Sequence, residues 1–191
     1  MKKQALRMIP LFVLVLSLIV SPIAHGAENE IKIGFLSAFT GVFSSFGKMQ
    51  QEGAVLALEE VDYEVAGKKI EVIYADDQLD NDLAVLRAAQ LVEQDQVDVI
   101  TGLVSGDEGL TVADFMRGKD IPVVVMYSAS EDMTMREWYP FIVRPTWTGA
   151  QPMDVFGYWL AKELGYKKIY MIGEDYSYPY NQIGGFKRGF F

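Results

Sequence analysis

A doubly wound parallel α/β sheet is the fold class that the order of apolar runs in this chain predicts. Two stretches carry the prediction, Val97-Asp-Val-Ile-Thr-Gly-Leu-Val-Ser105 and Ile121-Pro-Val-Val-Val-Met-Tyr-Ser128-Ala-Ser130, both short β-branched runs that stop abruptly at small and hydroxyl residues. A buried parallel strand delivers a polar loop to its carboxyl edge in this way. A third observation is the alternation of such runs with segments of helical spacing, because parallel neighbours need a covered crossover of about a dozen residues. Ligands of open α/β sheets bind beyond the carboxyl ends of the strands, so Ser105 and Ser128 to Ser130 mark the expected site.

Taken in order, the chain opens with basic Lys2, Lys3 and Arg7, followed by an almost wholly apolar stretch from Leu11 to Val20 and small residues at Ala24 and Gly26. This is the order of a secretory signal peptide, 1–26, cut near Gly26; an apolar core of about 7–15 residues suits a signal, whereas a membrane anchor needs about 20. No twin arginine is present and no cysteine follows for lipid attachment. The expected mature protein is exported to the periplasm.

Ile31 to Leu36 reads as the first strand and Phe39 to Gly47 as a loop rich in Gly, Ser and Thr. Gly47 to Val61 has helical spacing, with small Gly53, Ala54 and Ala57 that allow close packing on a sheet. Lys69 to Ala75 alternates as the second strand, and Asp80 or Asn81 can cap the helix Leu83 to Val92. Val97 to Thr101 is the third strand, and a helix from about Glu108 stops at Gly118 before the Pro122 strand. Phe141 to Arg144 is a fifth strand, Gln151 to Leu164 a helix with Val155, Phe156, Trp159, Leu160 and Leu164 on one face, and Lys168 to Ile172 a sixth strand. A last helix is expected from Asn181 to Phe191. The Pro145 to Gly149 segment is the natural boundary, leaving one strand and two helices after it. Such a remnant cannot cover a core of its own, so a second unit cut short is expected.

Charge and composition narrow the function. Without residues 1–26 the chain keeps 14 of its 17 basic residues and all 26 acidic ones, a net charge of −12. That surface repels nucleic acid and anionic membrane. The only histidine, His25, lies in the signal, and cysteine is absent. Ser-His-Asp and Cys-His catalysis, Cys/His zinc sites and disulfides are thereby excluded from the mature chain.

Ser105 follows a strand as a nucleophile would, but Gly102-Leu-Val-Ser-Gly106 has its first glycine one place too early for G-x-S-x-G. No P-loop is present, and Gly184-Gly-Phe-Lys-Arg-Gly189 lacks the G-x-G-x-x-G order. Asp76, Asp77, Asp80, Asn81 and Asp82 lack the glycine and the closing glutamate of a calcium loop and are read as caps and solvated groups. Glu59 with Glu60, and Glu131 with Asp132, are read as solvated faces. No metal and no cofactor are expected.

The aromatics divide. Phe156 and Trp159, at helical spacing, are expected in the core. Phe43, Phe46, Tyr127, Tyr176, Tyr178 and Tyr180 sit in loops at carboxyl edges of predicted strands, where rings suit the wall of a pocket.

The order of motifs resembles the branched-chain amino-acid-binding (Leu/Ile/Val-binding) family of periplasmic solute-binding proteins, which serve ABC importers. The matching pieces are Ile31-Lys-Ile-Gly, Ser37-Ala-Phe-Thr-Gly41 with Phe46-Gly47, Gly53-Ala, Tyr74-Ala-Asp-Asp77, Gly102-Leu-Val-Ser105, Met126 to Thr134, Arg144-Pro-Thr and Asp175-Tyr-Ser-Tyr178. The resemblance covers the mature chain, about half of a full member. It implies a type I periplasmic-binding-protein-like receptor whose two lobes close on a small ligand. Residues 27–145 would be the N-terminal lobe and 146–191 the truncated beginning of the C-terminal one.

By the same resemblance Ser105, Ser128, Ala129 and Ser130 would hold a ligand carboxylate, with Phe46 and Tyr178 as the aromatics of the first loops of the two lobes. Hydroxyls, amides and helix N-termini can do so without a formal positive charge. Two departures stand out: Met126 and Tyr127 replace residues that are usually small or proline, and the acid that would hold an α-amino group lies outside this chain. The implied function is delivery of an amino acid or a related aromatic or aliphatic carboxylate to an ABC permease in the membrane, without enzymatic activity. An extracellular ligand-sensing domain of a receptor is the alternative. A carboxylate-dependent hydrolase would need residues from the absent half. A fragment with an open crevice and an unfinished second sheet is expected to bind little and to aggregate.

Overall fold

The computed structural model describes residues 29–191, so the signal-peptide reading lies outside the described residues. A six-stranded sheet has the order β2-β3-β1-β4-β5-β6. Its strands are β1 (Glu30–Ser37), β2 (Glu64–Val65), β3 (Lys68–Asp76), β4 (Val99–Gly102), β5 (Val123–Val125) and β6 (Ile142–Val143). All neighbours are parallel except the β2–β3 pair, and β1 lies centrally, with Phe35 beside both Tyr74 of β3 and Thr101 of β4. The mostly parallel sheet expected from the alternation is therefore present, with a hairpin added at one edge.

That hairpin turns at Ala66 and Gly67, whose φ angles are 54° and 76°. Two successive left-handed residues match the twist of a two-residue hairpin, a role more often signalled by Asn-Gly than by Ala-Gly.

The helices are α1 (Ser44–Glu59), α2 (Asn81–Ala89), α3 (Gly106–Met116), α4 (Gln151–Lys162) and α5 (Ser177–Phe190), and α2 runs on into a single π turn, Gln90–Gln94. Asp80 is the cap of α2, its carboxylate accepting from Leu83 N at 2.8 Å, while Asn81 is the first helical residue. The core joins Leu36, Ile100, Val123 and Val125 of the sheet to Ala84, Ala88 and Leu91 of α2 and its extension, to Val112, Ala113 and Met116 of α3, and to Met133 and Tyr139. Burying a side chain of the size of Leu, Ile or Met stabilises by about 1.5–3 kcal/mol, so this cluster holds the sheet without disulfides.

Two expectations fail beyond Gly149. Lys168 to Ile172 forms no strand, and Tyr170 and Ile172 are more than nine-tenths exposed. A strand exists only through ladder bonds to a neighbour, and none of the described residues pairs with this stretch. Phe156 and Trp159 are not core either: they are 44% and 45% exposed and stack on each other with centroids 6.2 Å apart. What α4 buries against α5 is its glycine side. Gly157 meets the Phe186 carbonyl, and on α5 Gly185 meets the Ala150 carbonyl, contacts that a Cβ would forbid. Close approach of two backbones turns the aromatic ridge outward.

Among the described residues no helix is long and apolar enough to cross a membrane.

Candidate functional site

Strand β4 ends in a sharp change of direction. Gly102 has φ +113°, and Leu103, fully buried, has φ 64°. A Cβ on Gly102 would strike the Leu36 carbonyl. The strained Leu103 is held from three sides: its amide donates to Leu36 O at 2.8 Å, and its carbonyl accepts from Ser128 N at 3.1 Å and Gln50 Nε2 at 3.4 Å. Left-handed backbone at a bulky residue persists only when its surroundings over-determine it. The result is that Val104 and Ser105 leave the sheet and open α3.

Ser105 caps α3, its hydroxyl accepting from Asp107 N at 3.3 Å, and Glu108 completes the capping box by accepting from Ser105 N at 3.0 Å and Val104 N at 3.2 Å. The helix thus begins at Gly106, two residues earlier than its apolar spacing predicts. Its first turn points into a cavity of about 450 Å³ beyond the carboxyl ends of the strands. The walls are Phe43 and Phe46 from the β1–α1 side, Leu79 and Asn81 from the β3–α2 turn, Val104 to Asp107, Tyr127 and Ala129 after β5, and Glu174, Tyr176 and Tyr178 before and within α5.

The aromatic wall is continuous. Phe46 lies 5.9 Å from Phe43 and 5.1 Å from Tyr127 between centroids; Tyr127 leads to Trp147 at 6.2 Å, and Trp147 to Tyr178 at 6.0 Å. Such separations are those of attractive tilted and edge-on pairs. Burial pushes the Tyr178 and Tyr176 phenols above their ordinary range, with Glu174 and Asp107 adding to the shift at Tyr176.

The first loop is tied down by Asp76 at the end of β3. Its carboxylate accepts from Phe39 N at 2.8 Å, Thr40 Oγ1 at 2.6 Å and Gln78 N at 3.2 Å. Desolvation is the largest single influence on this carboxyl and raises its pKa, but the Thr40 hydroxyl and the backbone amides together outweigh it and hold the pKa low.

The expected site residues occupy two layers. Ser105, Ala129, Phe46 and Tyr178 line the cavity. Ser128 stands behind them, fully buried, donating its hydroxyl to the Ser105 carbonyl at 2.7 Å. Ser130 is also buried; its carbonyl accepts from Arg144 and its hydroxyl has no partner among the described residues. Of the six loop aromatics, Phe43, Phe46, Tyr127, Tyr176 and Tyr178 reach the cavity, and Tyr180 instead stays exposed with its hydroxyl on Asp175.

Asn81, Asp107 and Glu174 line the cavity without having been singled out for it. In the sequence Asn81 stands out only as a candidate cap, a role that Asp80 takes, and the other two carry no local signal. No lysine or arginine lines the cavity among the described residues. A bound anion would therefore rest on hydroxyls, amides and the positive end of α3. Among the described residues no group of acidic or histidine side chains is gathered as metal ligands would be.

Segments on either side of Gly149 meet around Glu131. Glu131 receives Thr148 Oγ1 at 3.3 Å and pairs with Arg188 at 3.2 Å, and its amide donates to Asn181 Oδ1 at 3.0 Å.

Comparison with known proteins agrees with this architecture. The Leu/Ile/Val-binding protein homolog 6 of Brucella abortus is 26% identical over 191 residues, all of this chain and 46% of that protein. A solute binding protein of an ABC transporter from Rhodopseudomonas palustris BisB5, solved in complex with 3,4-dihydroxy benzoic acid, superposes with a TM-score of 0.79 at 33% identity, over 85% of this chain and 44% of that one. A second solute binding protein of an ABC transporter from R. palustris, in complex with 4-hydroxybenzoate, gives 0.77 at 27% identity over 84% and 43%. The chain thus spans less than half the length of these relatives, and its sheet is that of a type I periplasmic binding protein. With the periplasmic binding protein model matching residues 30–190, nearly everything described, this chain belongs to the periplasmic binding protein family.

Proposed function

We propose that this protein is an extracytoplasmic solute-binding protein that captures a small carboxylate with an aromatic body and delivers it to the permease of an ABC importer. The observation that carries the reading is the cavity itself, in which Phe43, Phe46, Tyr127, Tyr176 and Tyr178 surround Ser105 and the opening turn of α3. Rings on several sides suit a flat apolar ligand, and the helix end suits its carboxylate. The two R. palustris relatives were solved with hydroxylated benzoates. In this reading residues 27–145 form one lobe, 146–191 begin the second, and residues 1–26 direct export. Sequencing the N-terminus of the secreted product tests the cut near Gly26.

A second reading, an α-amino acid as ligand, is favoured by Asp107 and Glu174, carboxylates in the cavity wall that could hold an ammonium group. Calorimetry on the full-length protein the gene encodes separates the two, using 4-hydroxybenzoate, 3,4-dihydroxybenzoate, leucine, isoleucine and valine. Binding of a benzoate is the expected result. Binding of the amino acids alone would select the second reading, and turnover of a ligand, or no binding by any, would overturn both.

A further inference from the structure

Beneath the cavity lie two acids that the proposed binding chemistry does not use. Asp77, which follows β3, and Glu108, in the first turn of α3, are both fully buried. Each organises one wall. Asp77 Oδ1 accepts from Leu79 N at 2.9 Å, and its carbonyl accepts from Asp80 N at 2.9 Å, which sets the turn that presents Leu79 and Asn81. Glu108 Oε2 takes the amides of Val104 and Ser105. One oxygen of each acid, Asp77 Oδ2 and Glu108 Oε1, is buried and meets no donor among the described residues, and each carboxyl is close enough to shift the other's pKa. Carboxylates only accept, so a bond between them requires a proton on one.

We propose that Asp77 and Glu108 share one proton that staples the β3–α2 turn to the β4–α3 turn, holding two walls of the cavity in register for ligand capture. Burial, then the neighbouring Asp77, pushes the Glu108 carboxyl well above the usual range, so Glu108 is the acid that donates toward Asp77. The Asp77 carboxyl is also raised, by burial first, and the pair titrates as a unit.

Among the described residues no cation compensates the pair. Asp76 on β3 adds a further negative charge beside Asp77. From α2, Arg87 turns its guanidinium to the Asp76 carbonyl and the Gln90 side chain. On α3 the neighbouring Asp107 faces the Ser177 amide. Strand β1 and helix α1 supply neutral groups, Ser37 and Gln50, bonded to each other at 3.2 Å. Loss of the proton places two like charges in one buried site, parts the two turns and adds negative charge beneath the end of α3 where the ligand carboxylate would sit.

The inference rests on the carboxylate-binding reading for its effect on affinity, and its test has one arm that does not. In ligand-free, full-length protein the side-chain carboxyl carbon of Glu108 is followed by NMR against pH, and the expected result is retention of its proton at neutral pH. In parallel, affinity for 4-hydroxybenzoate is measured between about pH 6 and about pH 9, the span in which buried glutamates are known to titrate. Wild type is expected to lose about tenfold or more in affinity across that span. Glu108→Gln replaces the shared O–H by an N–H that cannot be lost, so it keeps the low-pH affinity and shows a flatter profile; Glu108→Ala is weak throughout. Ionisation of the ligand itself is common to all variants. Titration of Glu108 in the ordinary carboxylate range, or one pH profile for wild type and Glu108→Gln, would overturn the proposal. Failure of 4-hydroxybenzoate to bind any variant, with Glu108 protonated at neutral pH, would overturn the ligand reading and leave the staple supported.

Discussion

Gly106 opens α3 at the centre of the cavity wall, and Gly106→Ala is the substitution that best separates the fold from the site. The added methyl would stand 3.1 Å from Ser130 Cβ and closer still to Ser177 Oγ, where ordinary contact begins at 3.4 Å. Its two neighbours differ in kind: Ser130 belongs to the buried loop after β5, whereas Ser177 is the first residue of α5, across the cavity. The strain is relieved by holding α5 back from α3. Within α3 alone alanine is the better helix former, by up to about 1 kcal/mol. Crowding of this kind costs about 1–3 kcal/mol, and if it falls wholly on the closed, liganded state, affinity drops by about 5- to 150-fold. Calorimetry with 4-hydroxybenzoate and thermal melts by circular dichroism, both on the full-length protein, read the two quantities independently. The expected outcome is weakened binding with a midpoint within about 4 °C of wild type. Wild-type affinity, or a collapse of the midpoint without a change in binding, would refute the reasoning.

Other consequences follow from the same geometry. Ile100→Ala empties a fully buried position in the central sheet, and urea unfolding should show a loss of about 2–5 kcal/mol with the slope unchanged. Asp76 has its pKa lowered in the fold, so its stabilising contribution is complete above the range in which the unfolded carboxyl titrates, about pH 4, and disappears as pH falls below it. Acid titration of stability should therefore lose part of its slope there in Asp76→Asn, and an equal slope in both proteins would count against the clamp on the first loop. Arg188→Ala removes an ion pair whose arginine is half exposed, so the melt should move little while release of the ligand quickens in stopped-flow fluorescence. An unchanged off-rate would mean that the Glu131 pair contributes nothing to closure.

What was legible in the amino-acid order is what local patterning controls. The β-branched runs that became β1, β3, β4 and β5, the cap at Asp80 and the stop near Gly118 each depend on residues within a few positions of one another. The hairpin at Ala66-Gly67 escaped because alanine is not a usual left-handed turn residue. Lys168 to Ile172 has the composition of a strand, yet composition cannot provide a neighbour to bond with. The face of α4 was misassigned because the pattern weighs large apolar residues, whereas the contact with α5 is made where small residues let backbones meet.

At the cavity, the sequence by itself placed Ser105 at the end of a strand and supplied the rings from the loops that line it. It also shows that residues 27–191 hold neither histidine nor cysteine. Only the tertiary structure decided that Ser128 turns its hydroxyl to the Ser105 carbonyl while Ala129 faces the cavity, and that Asp107 and Glu174 join the wall. It likewise decided that Asp77 and Glu108, 31 positions apart, are both fully buried. The reason is physical: strand and helix signals are local, whereas the partner of a buried polar group is chosen by whatever the fold brings within about 3 Å of it.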